Sequence, residues 1–217
     1  MPPVRTILCF GDSNTYGAVP TLSRGGGNRF APDRRWTGVM RRQLGSGWEV
    51  IEEGHPSRTT VRDDPIEGGH KNGLKALPIL LESHMPIDLV ILMLGTNDLK
   101  HRFASTASDI ADSIEILARA IQRSEAGPAG AEPALIIVSP APMQEVDRFA
   151  EMFLGGAVKS RQLSSFIRDV AKRTGATFVD AGTLVESSSI DGIHLDSDAH
   201  RILGLELARV VQAVMPH

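Results

Sequence analysis

The sequence predicts an α/β fold, a three-layer α/β/α sandwich around a five-stranded parallel sheet, and three observations predict it. Five short apolar runs, at residues 6–10, 48–52, 89–94, 135–139 and 177–180, lack strict polar alternation, as strands covered on both faces do. Between them lie segments with helical spacing, so strands and helices alternate along the chain. The length of 217 residues, 41% of them hydrophobic and 23% charged, suits one domain with a full core, spanning residues 1–217. In such a sheet, ligands bind outside the carboxyl ends of the strands. Function is therefore sought in the residues just after each run.

The first run holds Cys9, the chain's only cysteine, which cannot form an intrachain disulfide and in apolar surroundings behaves as a small hydrophobe. Its apolar stretch is too short for the core of a secretion signal, which predicts a cytoplasmic location. Gly11-Asp12-Ser13-Asn14-Thr15-Tyr16-Gly17 comes next, a set of small polar residues suited to a tight turn into a helix. Ser13 there either points its hydroxyl into the ligand crevice or only caps the helix. Residues 19–36 are irregular, carry Gly25, Gly26 and Gly27, and end in Arg29, Phe30, Arg34, Arg35 and Trp36. Long loops of this kind tend to carry function, here the shaping of a substrate site.

After the second run comes Gly54, which either lets its N–H approach a bound group or is a turn residue. After the third comes Gly95-Thr96-Asn97-Asp98, where a buried amide either fixes the loop or donates to a ligand. Ile110, Ile114, Leu117 and Ile121 then share one helical face. The fourth run leads into irregular residues 140–156, whose Phe149 and Phe153, if exposed, would mark an interface. Beyond the fifth lies Asp191-Gly192-Ile193-His194-Leu195. Its three-residue spacing lets the carboxylate fold back onto the imidazole, fixing the tautomer and supporting the charge that forms when the ring takes a proton. Asp196 or Ser197 caps the final helix, which presents Ile202, Leu205 and Ala208 on one face. The remaining histidines, His55, His70, His84, His101, His200 and His217, read as surface residues, as do Arg58 and Lys100.

Other classes are disfavoured. A net charge of −3 gives no reason to expect nucleic acid, no stretch approaches the ~20 apolar residues of a membrane span, and no His-Glu-x-x-His or comparable cluster calls for a metal. No cofactor is expected.

Taken together, the blocks around Ser13, Gly54, Asn97, Asp191 and His194 resemble those of the SGNH or GDSL family of serine hydrolases, whose fold is flavodoxin-like. The resemblance implies that Ser13 is the nucleophile, His194 its base and Asp191 the residue orienting that base. It also implies an oxyanion hole built from the backbone N–H groups of Ser13 and Gly54 and the Asn97 amide. The stretches Arg29-Phe30-Ala31-Pro32-Asp33, Arg35-Trp36-Thr37-Gly38 and Asp191-Gly192-Ile193-His194 resemble the arylesterase and acyltransferase branch typified by a mycobacterial perhydrolase. That implies hydrolysis of short-chain aryl or alkyl esters through an acyl-enzyme, transfer of the acyl group to an alcohol or peroxide in some members, and a homo-oligomer, octameric in some. Tyr16, Trp36, Phe153 and Ile193 are the candidates for an apolar substrate-binding rim, with Phe149 and Leu195 beside them.

The chain departs from the family at Asn14, where leucine is usual, at Ser57, where a glycine is common, and at Tyr16, where the mycobacterial branch has tryptophan. It also lacks the Gly-x-Ser-x-Gly elbow of α/β-hydrolases, because Thr15 takes the place of the last glycine. Two alternatives stay open: a carbohydrate O-deacetylase of the same family, using the Arg- and Gly-rich loop on sugar, and a non-catalytic flavin- or phosphate-binding flavodoxin-like module built on residues 13–17. The second leaves Asp191 and His194 without a role.

Overall fold

A computed structural model describes residues 3–23 and 27–216. Five parallel strands pair in the order β2 (Trp48–Gly54), β1 (Arg5–Gly11), β3 (Leu89–Met93), β4 (Ala134–Ser139), β5 (Thr177–Asp180). Side chains alternate across a strand, so an apolar run feeds two cores at once. Leu8 and Phe10 of β1, with Val90 and Leu92 of β3, face α3 (Gly73–His84), α4 (Ala107–Gln122) and α6 (Gly156–Thr174). Ile7, Cys9, Leu89, Ile91 and Met93 face the opposite way, onto α2 (Trp36–Leu44) and α7 (Ser197–Val214). This is the expected three-layer sandwich. Burial drives the Cys9 thiol's pKa well above its ordinary value, in keeping with a core residue.

Helix α4 buries Ile110, Ile114, Leu117 and Ile121 as the spacing predicts, and it starts in a capping box in which Thr106 and Asp109 bond each other's backbone. Helix α7 meets expectation at Ala208, which is buried, and departs from it at Ile202 and Leu205. Its buried stripe runs through Ala199, Leu203, Leu207, Ala208 and Val211, because the helix packs on both the sheet and α2, which leaves Ile202 and Leu205 on the outer flank at 38% and 40% exposure. Asp196 is its N-cap residue, without a side-chain bond.

The irregular stretches have more structure than predicted. Ala18 bridges Arg29 in antiparallel fashion, Val19 N–H donates to Asn28 O and Phe30 N–H to Gly17 O, pairing residues 17–19 with residues 28–30 of the first stretch. Gly25 and Gly26 of its glycine triplet lie outside the described residues, as does His217. The second stretch carries the single turn α5 (Phe149–Met152). It exposes no aromatic ring: Phe153 is buried and Phe149 half-buried against the same core.

The strand order reverses direction at β1, so a crevice opens between the carboxyl ends of β1 and β3, the place where Ser13 and Asn97 emerge. Among the described residues no helix is long and apolar enough to cross a membrane.

Candidate active site

The turn after β1 is held by Asp12. Its Oδ1 accepts the Asn14 N–H at 2.9 Å and its backbone carbonyl accepts those of Thr15 and Tyr16, so Asp12 is the N-cap and Ser13 the first residue of the short helix α1 (Ser13–Tyr16). The cap role open to Ser13 thus falls to its neighbour. Strand β2 ends at Gly54, in register with Gly11. A Cβ on Gly54 would lie 2.1 Å from Tyr16 N, so only glycine lets the backbone of α1 rest on the end of β2.

Asp12 also meets the loop after β3, where Asn97 Nδ2 donates to its Oδ2 at 3.4 Å. Burial raises the Asp12 pKa to about 6, against the Asn14 N–H and the charges of His194, Arg58 and Lys100. Next to Asn97, buried Asp98 accepts Thr60 N–H at 3.0 Å and Thr60 Oγ1–H at 2.6 Å. Burial outweighs those bonds and raises its pKa to about 6 as well. Both aspartates tie loops together, as loop-fixing residues do.

Asp191 is fully buried and receives four donors. Its Oδ2 accepts His194 Nδ1–H at 2.7 Å and Thr21 N–H at 2.8 Å, and its Oδ1 accepts the N–H groups of Ile193 at 3.0 Å and His194 at 2.9 Å. Burial alone would raise its pKa, yet the His194 ring and these backbone donors prevail and hold it at about 2. The carboxylate is therefore ionised, and a neutral His194 that donates from Nδ1 presents Nε2 as an acceptor. Gly192 makes the bend at φ +73°, where a Cβ would strike Gln144 O. Ser188 N–H to His194 O and Gln144 N–H to Gly192 O close the loop around the histidine.

The turn that carries Ser13 and the loop that carries His194 meet through Asn14, one of the residues at which the sequence departs from the blocks it resembles. Asn14 Nδ2 donates to Ile193 O at 3.2 Å while Leu195 N–H donates to Asn14 Oδ1 at 3.0 Å. Among the described residues no hydrogen bond joins Ser13 Oγ to His194 Nε2, and unliganded sites often tighten that contact only with substrate.

The expected substrate rim is mostly interior. Trp36 is wholly buried, its Nε1–H donating to Asn14 O at 3.1 Å, because α2 packs it beneath the turn that carries Ser13. Phe153 and Ile193 join the core under α4 and α6, and Leu195 joins the core under α7. Tyr16, like Phe149, is half-buried, and the Arg29 guanidinium lies 4.2 Å over the Tyr16 ring.

The basic cluster is likewise turned inward. Arg29, Arg35 and Thr37 all donate to the Glu52 carboxylate, at 3.0, 2.5 and 2.9 Å, so these arginines are committed to holding the loop against β2. Arg58 and Lys100, expected on the surface, are buried. Arg58 bonds the carbonyls of Gly11 and Glu53, and burial lowers its pKa to about 10. Lys100 and Arg102 share the carboxylates of Asp64 and Glu67.

His200 is also buried, not exposed. Its Nδ1 accepts the Trp36 N–H at 3.3 Å, and burial, with the charges of His194 and Arg35, lowers its pKa to about 4. Ser57 adopts φ +65°, a left-handed conformation that explains why a glycine is common there. Among the described residues, no group of three or more His, Cys, Asp or Glu side chains is placed to hold a metal ion.

A model of the GDSL-like lipase/acylhydrolase family matches residues 9–202. Among solved structures, the aryl esterase of M. smegmatis is 41% identical with a TM-score of 0.92, covering 97% of this chain and 100% of that one. Est24, a carbohydrate acetylesterase from Sinorhizobium meliloti, is 39% identical with a TM-score of 0.93 over the same shares. A lipase/acylhydrolase from Enterococcus faecalis, 20% identical over 97% of this chain and 96% of that one, shares the fold at a TM-score of 0.70. No curated protein matches the chain.

Proposed function

The chain belongs to the GDSL-like lipase/acylhydrolase family, and from that premise we propose that it is a serine esterase cleaving short-chain aryl or alkyl esters through an acyl-enzyme on Ser13. The observation that carries the reading is the buried, ionised Asp191 bonded to His194 at 2.7 Å, on a loop tied to the residue next to Ser13. Two relatives, an aryl esterase and a carbohydrate acetylesterase, support the ester chemistry.

In this mechanism His194 Nε2 takes the Ser13 hydroxyl proton as Oγ attacks the acyl carbonyl, and Asp191 stabilises the imidazolium without itself taking the proton. The tetrahedral oxyanion is met by the N–H groups of Ser13 and Gly54 and by Asn97. Collapse expels the alcohol, to which His194 returns the proton, and leaves the acyl group on Ser13. Water, activated by His194, then releases the acid. An alcohol in its place gives acyl transfer. Residues 1–217 are read as one hydrolase domain, supported by the single sheet and by the family match over 9–202.

The likeness to Est24 favours a second reading, deacetylation of a carbohydrate. It does not draw on Arg29 and Arg35, which are committed to Glu52. Faster acetate release from acetylated xylose than from phenyl acetate would select it. The flavin- or phosphate-binding module is set aside, since the family is one of acylhydrolases.

The deciding experiment is p-nitrophenyl acetate hydrolysis by the wild type and by Ser13→Ala. Turnover by the wild type that falls to background in the variant is the expected result. Equal rates, or none from either folded protein, would reject the esterase.

A further inference from the structure

We propose that Asn14 is a positioning residue that holds His194 in register with Ser13, a role that rests on the serine esterase reading. A carboxamide carries a donor and an acceptor on one planar group. Asn14 uses both on the two residues flanking His194, donating from Nδ2 to Ile193 O at 3.2 Å and accepting Leu195 N–H at Oδ1 at 3.0 Å. The side chain thus takes the part of a neighbouring β-strand, bonding an outgoing carbonyl and an incoming N–H on either side of one residue. His194 hangs between those two bonds, and the group that makes them belongs to the residue covalently joined to Ser13.

Asn14 is itself held in place. It is buried, its N–H is capped by Asp12 Oδ1 at 2.9 Å, and its carbonyl accepts the Trp36 indole N–H at 3.1 Å. Trp36 is anchored in turn by its N–H on His200 Nδ1 at 3.3 Å. Any shift of the histidine loop relative to the nucleophile turn must break bonds at a buried amide, which is costly to leave unpaired. Leucine at this position would offer neither bond, and aspartate would offer only the acceptor. The Asn14 side chain bonds the histidine loop alone, so its contribution falls on the approach of His194 to Ser13, and therefore on kcat rather than KM.

The test measures wild type, Ser13→Ala, Asn14→Leu and Asn14→Asp with p-nitrophenyl acetate, together with the rate at which a fluorophosphonate labels Ser13. Asn14→Leu is expected to lower kcat on the order of ten- to a hundredfold while KM stays within about twofold, because small misplacements of a catalytic group cost this much. Fluorophosphonate labelling should slow in parallel. In a His194→Ala background, Asn14→Leu should slow labelling no further, since a residue acting through His194 has nothing left to act on. Asn14→Asp, which keeps the size and the bond from Leu195, should fall between wild type and Asn14→Leu, and it serves if the leucine variant does not fold.

A kcat for both variants equal to wild type, with Ser13→Ala inactive, would overturn the role of Asn14 and leave the esterase standing. An equal further loss in the His194→Ala background would also overturn it, assigning Asn14 to the fold alone. Wild-type activity indifferent to Ser13→Ala would bring down both readings together.

Discussion

Asn97 carries two amide hydrogens, and one of them is turned to Asp12 at 3.4 Å. In the proposed mechanism the other serves the oxyanion. Asn97→Ala is therefore expected to lower kcat about a hundredfold or more, ~3 kcal/mol in the barrier, with little change in KM, as steady-state kinetics would show. Its neighbour Asp98 gives a prediction about stability. Burial raises its folded pKa to about 6 from 3.8, so its contribution is complete below about pH 4 and is lost as pH rises through 6. Two pKa units correspond to about 3 kcal/mol. Between pH 4 and pH 8, the wild type should lose about that much stability relative to Asp98→Asn in urea titrations, and parallel pH profiles would refute it. Residues whose roles come from spacing were legible in the sequence. Asp191 and His194 lie three positions apart, and the pairing their spacing predicts is formed. Asn14 was not legible as a tie, because its partners lie about 180 positions away. Nor was the burial of Arg58, Lys100 and His200, since a charged or polar residue type predicts exposure until the groups that pair it are known.

At the scale of elements, the strands were legible because a strand buried on both faces needs only continuous apolar character. All five expected runs became strands, with ends shifted by two residues or fewer. Helix faces depend on which neighbours arrive, and α7 shows the limit. Of the i, i+3 stripe Ile202, Leu205 and Ala208, only Ala208 is buried, because contact with α2 turns the inward face toward Leu203 and Leu207. Leu203→Ala should cost about 2–5 kcal/mol of stability, as cavity-forming core substitutions do. Ile202→Ala should cost less, about 1 kcal/mol, because more than a third of the side chain is already exposed. Urea denaturation decides between them, and the reverse order would restore the predicted face. Two of the aromatic candidates for the rim went to the interior for a related reason. Trp36 and Phe153 supply apolar area, and nothing in residue type says whether a ligand or the protein itself will cover it.

For the whole molecule, the family resemblance carried by five residues in four blocks agrees with the family match and with a TM-score of 0.92 to an aryl esterase. Association of chains is a separate question. The outer helices expose Ile79 on α3 and Val158 and Phe166 on α6, apolar side chains suited to contact with further copies. Size-exclusion chromatography with light scattering should give a mass of several chains, and a mass of one chain would reject the oligomer. The layout of the sheet has a consequence for synthesis. Ser13 comes just after β1, the first of the five strands in the chain, whereas His194 comes after the edge strand β5, the last of the five. Under the proposed mechanism, a chain emerging from the ribosome carries Ser13 long before His194, and a fragment that ends short of His194 cannot cleave an ester by this route. The first turnover would announce that β1 and β5 have both been made and now lie in one sheet.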